Sequence, residues 1–277
     1  MKFQAIKELS PLQILLVIGG FVVTCLLFSL LLITTQVNQI VMLHVHAHSF
    51  FPEWMWAVLN LLGDAWVVLL ILLIVDHYSG NFTSWIFKAW TLGALLVQTM
   101  KVLVPMARPA STLGSSQLHL IDHPPLVGSS MPSGHALAAT TCALMLIAHF
   151  VQHKKRGDCL LIPILMLGLL ASWARVAVGA HWPSDVIAGI GLALAVVTAS
   201  FIWEKKYSWN DWFQKPSGKL MLFIVHTLIA IYLVFLPSEF LFVKLMQFLF
   251  ASLSAFKSWM LLRGRLLFYF HQWIGRQ

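Results

Sequence analysis

Acid is scarce in this sequence: ten Asp and Glu stand beside eighteen Lys and Arg in 277 residues, and only 10% of the chain is charged. A soluble domain carries roughly a quarter of its residues charged so that its surface can face water. The shortage excludes that class. With 59% hydrophobic residues and a mean hydropathy of +0.83, the chain must put most of its surface into hydrocarbon. Cysteine is scarce as well. Cys25, Cys142 and Cys159 lie in or beside apolar runs without metal-ligand spacing, which implies neither a disulfide framework nor a zinc site and points to packing as their role. The formal charge of +8 does not point to nucleic acid, because the cations sit in short segments between apolar runs, without aromatic interleaving.

What is present is a series of runs long enough to cross a bilayer. They predict helices near 11–36, 55–76, 85–106, 135–152, 160–178, 184–203 and 219–236. An eighth run, 239–262, is interrupted by Lys244, Gln247 and Lys257, so it reads either as a span or as an interfacial helix. The first run follows Lys2 and Lys7 and is too long for a signal peptide, which makes it a retained helix. The expectation is an all-α fold, a single membrane domain over 1–277, with a six-helix core at 11–203 and C-terminal membrane helices at 204–277 that have no assigned role. Trp54, Trp56, Trp85 and Trp182 fall near span ends, as interface anchors do.

Charge sets the orientation. Lys2, Lys7, Lys88, the His153-Lys154-Lys155-Arg156 cluster, Lys205, Lys206, Lys215, Lys219, Arg263 and Arg265 are expected on one side, whereas segment 37–53 has no Lys or Arg and 107–131 has only Arg108. By the positive-inside rule the cation-rich side is cytoplasmic. Both termini then lie inside if all eight runs span.

Three polar blocks interrupt this apolar background: Lys101-x6-Arg108-Pro109, Pro132-Ser133-Gly134-His135, and Arg175-x5-His181-x3-Asp185. Helix order and charge bring all three to the side poor in cations. Lys101, Arg108 and Arg175 can bind the non-bridging oxygens of a phosphate, the guanidinium groups two at a time. Ser133 and Gly134 begin a helix, where backbone amides and the helix dipole favour an anion. His181 and Asp185 are four apart, so the carboxylate can fix the imidazole in one tautomer. An oriented neutral imidazole can attack phosphorus while a second histidine, His135, protonates the leaving oxygen.

These blocks resemble the signatures of the type 2 phosphatidic acid phosphatase (PAP2) superfamily: Lys-x6-Arg-Pro, Pro-Ser-Gly-His and Ser-Arg-x5-His-x3-Asp. The first two match throughout; the third departs at Ala174, where the family has serine. The resemblance implies a phosphohistidine intermediate, with His181 as nucleophile, His135 as acid and then base, and Asp185 as orienter. Lys101, Arg108, Ser133, Gly134 and Arg175 are its implied phosphate ligands. It implies no cofactor and no metal, and a substrate that is the phosphate of a membrane lipid. Undecaprenyl diphosphate, phosphatidylglycerol phosphate, phosphatidic acid and lipid A phosphate all fit a bacterial inner membrane with the site facing the periplasm or cell exterior. The expected partners are that lipid and the bilayer, with no nucleic acid; oligomeric state is not set by the sequence.

Each residue also has a plainer reading. Lys101 or Arg175 alone would be a cation snorkelling from a helix end, and Asp185 alone a helix cap. His44, His46 and His48 share a face only in an extended strand, so an interfacial loop is expected rather than a metal site. Asp64, inside an apolar run, should find a polar hydrogen-bond partner. Segment 110–130 either covers a headgroup or merely connects. A lipid-to-lipid phosphotransferase and, from another class, a lipid transporter or flippase are the competing functions.

Overall fold

The computed structural model of the chain describes residues 10–76, 82–114, 117–152 and 158–274. The cations Lys2, Lys7 and His153 to Arg156 lie outside the described residues, as do the side chains beyond Arg263. The fold is all-α. Its elements are α1 (Pro11–Thr34), α2 (Val37–Ala47), α3 (Glu53–Leu62), α4 (Ala65–Asp76), α5 (Thr83–Leu103), α6 (Pro109–Leu113), α7 (Gly134–Gln152), α8 (Asp158–Ala177), α9 (Pro183–Lys206), α10 (Asn210–Gln214), α11 (Pro216–Phe235) and α12 (Leu241–Ile274). Seven of them are long and apolar enough to cross a membrane, and α3 with α4 makes an eighth that is bent by 63°.

The structure corrects the sequence reading in several places. Segment 37–53 is not a connecting loop: most of it is α2, where His44 and His48 stack at 4.6 Å and the His46 ring nitrogen Nε2 donates to the Val176 carbonyl at 3.0 Å. The expected helix 55–76 is broken at Gly63 and Asp64. There the Gly63 amide closes the last turn of α3, and Asp64 Oδ1 accepts the amides of Trp66 (2.9 Å) and Val67 (3.3 Å). That is a side-chain cap for α4, worth about 1 kcal/mol. Residues 241–262 of the eighth run belong to one helix, α12. Gln247, which seemed to interrupt it, lies on a buried stripe with Val243, Ala251, Ser254 and Ser258. Three of the four tryptophans named as anchors are buried, because their indole N–H groups find partners inside the protein: Trp56 on Ser49, Trp85 on Ser200 and Trp182 on the Ala107 carbonyl.

α7 is the centre of the bundle, packed against α4, α5, α8 and α9, while α11 and α12 form a hairpin that docks on α3 and α4. In lipid such contacts rest on close packing, and small residues permit it. At the α7–α9 crossing a Cβ on Gly189 would stand 2.7 Å from the Ser133 carbonyl oxygen. α1 packs on α9, and Ser29 together with Asn38 of α2 hydrogen-bonds Ser184.

Lys88 is no loop cation. It is fully buried, donates to Glu204 (2.6 Å), Ser84 (3.1 Å) and the Tyr207 carbonyl, and lies 4.5 Å from the centre of the Trp209 ring.

Candidate active site

The turn after α8 places the first histidine. Gly179 has φ +82°, a left-handed conformation that glycine adopts without strain. It ends the helix in a Schellman arrangement, with Gly179 N donating to Val176 O and Ala180 N to Arg175 O. The His181 amide shares the Arg175 carbonyl at 3.1 Å, so these two members of the third block are tied through the backbone.

α9 then begins at Pro183, and Asp185 sits in its first turn with Oδ2 accepting the Trp182 amide at 2.9 Å. The same oxygen lies 3.3 Å from His181 Nδ1. It also accepts the Ser130 hydroxyl at 2.5 Å, and that hydroxyl lies 3.3 Å from the ring nitrogen. A carboxylate on Nδ1 places the proton there and leaves the Nε2 lone pair free. Arg108 Nη1 stands 3.3 Å from Nε2 while donating to the Ala180 carbonyl, and its Nε donates to the Val127 carbonyl. An anion arriving at His181 Nε2 would therefore meet a guanidinium beside that nitrogen.

His181 is 2% exposed. Burial first, then the charges of Arg175, Arg108 and Lys101, hold its pKa well below the ordinary histidine value, against a hydrogen bond to the Ser130 backbone. The imidazole is neutral at physiological pH, the state a nucleophile requires.

Ser133 and His135 approach from the start of α7. The Ser133 amide, expected to face an anion, donates to the Asp185 carbonyl at 3.0 Å, and its hydroxyl accepts the Ala136 amide as a helix cap. Gly134, His135 and Lys101 line a cavity of 230 Å³ between α4, α5 and α7, whose remaining wall is almost wholly apolar. His135 Nε2 lies 3.9 Å from Asp64 Oδ2. Arg175 is buried and donates to Asn60 Oδ1 at 2.5 Å. Two of the three buried polar atoms without a partner among the described residues are Arg175 Nε and Asp185 Oδ1.

All eight residues singled out in the sequence thus lie at one end of the bundle. Ser130 and Asn60 were missed. Segment 110–130 does more than connect, since Ser130 and the Val127 carbonyl both enter the site. Ala174 is buried in the core. Among the described residues no group of three His, Cys, Asp or Glu is placed to hold a metal.

Residues 82–209 match the family model of the PAP2 superfamily. The undecaprenyl-diphosphatase candidate YbjG of Escherichia coli K12 is 29% identical over 121 residues, 43% of this chain and 52% of that protein. An undecaprenyl-diphosphatase of Sulfolobus acidocaldarius is 27% identical over 124 residues, 45% of this chain and 56% of that one. The matches thus span about half the length of these relatives. A crystal structure of a PAP2 type phosphatidylglycerolphosphate phosphatase from Bacillus subtilis aligns with a TM-score of 0.48 at 24% identity, over 67% of this chain and 96% of that one.

Proposed function

We propose that the protein, whose residues 82–209 match the PAP2 family model, hydrolyses a phosphomonoester or diphosphate of a membrane lipid through a phosphohistidine. His181 Nε2 attacks phosphorus as the bond to the leaving oxygen breaks, and His135 gives that oxygen its proton. His135 then takes a proton from water, whose oxygen displaces the histidine and releases inorganic phosphate. The proton stays on His181 Nδ1 throughout, donated in a hydrogen bond to the Asp185 carboxylate. Arg108, Lys101 and Arg175 hold the non-bridging oxygens and offset the charge that develops on them.

The observation that carries this reading is the cavity on which His135, Gly134 and Lys101 open, because apart from Gln98 and Thr141 its other walls are apolar. A lipid can leave its tail among α4, α5 and α7 while its phosphate meets the cations, so no chain has to be drawn into water. Orientation with the site toward the periplasm or cell exterior rests on Lys205, Lys206, Lys215 and Lys219, which flank the far end of α9 and the start of α11. The names of the two relatives make a polyprenyl diphosphate the first substrate to try, beside phosphatidylglycerol phosphate, phosphatidic acid and lipid A phosphate.

The purified protein in detergent should release inorganic phosphate from at least one of these lipids, and acid-labile phosphate should appear on His181 in a rapid quench. Release from none of them, with p-nitrophenyl phosphate also inert, would overturn the assignment. Phosphate passed to a second lipid alcohol in place of water would make the protein a phosphotransferase.

A further inference from the structure

The C-terminal hairpin, outside the matched segment 82–209, reaches the catalytic centre. Tyr232 of α11 donates its hydroxyl to Asp64 Oδ2 at 2.9 Å. The same oxygen stands 3.9 Å from His135 Nε2. Asp64 Oδ1 is separately engaged in capping α4. The cap alone does not call for a charge, since Asn, Ser or Thr caps a helix about as well, and a carboxylate inside a membrane protein is costly. What the carboxylate adds is an anion at Oδ2, facing the histidine that must gain and lose a proton in each turnover. Asp64, Tyr232, His135, Arg175, Asn60 and Gln247 also line a single cavity of 190 Å³ between the hairpin and the core. His135 therefore opens on an apolar cavity through one part of its surface and on a polar one through another.

We infer that Asp64, held by Tyr232, is a positioning residue for His135, a second carboxylate–imidazole pair beside Asp185 and His181. Through it, α11 is a working part of the enzyme. The carboxylate stabilises the imidazolium after His135 has taken the water proton and before it serves as acid in the next turnover; no bond to substrate is involved. This rests on the phosphohistidine reading above.

The test uses the full chain with Asp64→Asn, which keeps both the size and the capping oxygen, and Tyr232→Phe, which removes one hydroxyl. For a lipid phosphate, Asp64→Asn should lower kcat about 10–100-fold and Tyr232→Phe about 3–10-fold, with KM and inhibition by vanadate within about twofold of the parent. With p-nitrophenyl phosphate, whose leaving group needs little acid, the burst should persist while the following steady rate falls as the lipid rate does. A merely structural role would move KM, vanadate inhibition and the burst together with kcat. Parent-like kcat in both variants overturns the inference. So does a loss of vanadate inhibition parallel to kcat, which would assign Asp64 to the phosphate cradle through Arg175. If the parent protein itself releases no phosphate, the phosphohistidine reading fails first, and this inference with it.

Discussion

The same two helices, α5 and α9, carry buried charge at both of their ends, and the two ends differ in how far that charge is satisfied. At one end Lys88 and Glu204 face each other: all three ammonium donors have acceptors, the carboxylate takes Ser84 and Asn210 as well, and Trp209 covers the cation. At the other, Lys101 ends α5 and Asp185 begins α9, with Arg108 and Arg175 beside them. There cations outnumber carboxylates, and a guanidinium nitrogen and a carboxylate oxygen lack partners among the described residues. A completed pair locks helices together. An incomplete, cation-rich cluster has free valence for an anion, which is what the proposed phosphate chemistry requires.

The sharpest way to break this contrast is to remove the proposed nucleophile. His181→Ala should cost about 10⁴-fold or more in turnover, abolish phosphoenzyme with every substrate, and leave the melting temperature nearly unchanged. His135→Ala should release about one equivalent of nitrophenol per site from p-nitrophenyl phosphate and then stall, and give almost no burst with a lipid. Covalent phosphate persisting without His181 would reverse the two roles.

Next in size is a change at the other end. Lys88→Ala strands Glu204 and should destabilise the fold by about 3–5 kcal/mol, while kcat per folded molecule stays that of the parent. A kcat loss without a stability loss would erase the distinction between the ends.

Ser130→Ala removes a hydrogen bond to a charged group, worth about 1.5–3 kcal/mol. Because that bond also holds Asp185 against His181, kcat per folded molecule should fall roughly 10–100-fold beyond whatever the melting temperature loses.

A smaller effect concerns pH. Because the folded pKa of His181 is depressed, the imidazole should stay neutral below pH 6.5 and lose its nucleophilic form only as pH falls through the lower folded value. The unfolded chain takes up that proton first, so this group erodes stability as pH drops from the unfolded value toward the folded one. A ¹⁵N-histidine titration in detergent should find the midpoint below 6.5; a midpoint at or above it would contradict the burial argument. Smallest of all is chelation. With Lys101, Arg108 and Arg175 proposed to supply the charge that a divalent ion supplies elsewhere, excess EDTA should leave the rate unchanged, and loss restored by a divalent ion would refute this.

Much of the site was legible in the sequence because phosphate chemistry needs particular residue types at fixed spacings, and the three blocks keep those spacings within single turns or helix ends. The supporting residues were not. Asn60, Ser130 and Tyr232 each stand alone in an apolar or loop segment, and their partners lie 115, 55 and 168 residues away. Such pairings follow from helix packing, not from local pattern. The break of α3 from α4 left a trace, a glycine followed by a capping aspartate, but apolar periodicity runs on across it and hid it. Trp56, Trp85 and Trp182 misled for a similar reason: nearness to a span end does not say which way a ring turns. Asp64 was expected to find a polar partner and has one in Tyr232.

The missing side chain at Gly189 has a consequence for how the protein can change over evolutionary time. α7 and α9 meet there, and the Ser133–Asp185 backbone bond bridges the same gap. The distance between two of the three blocks is thus a helix-crossing distance. A single methyl group at 189 would push the Ser133 carbonyl away and lengthen that ruler. The tolerance of the site to drift is therefore set at a residue that would touch neither phosphate nor lipid.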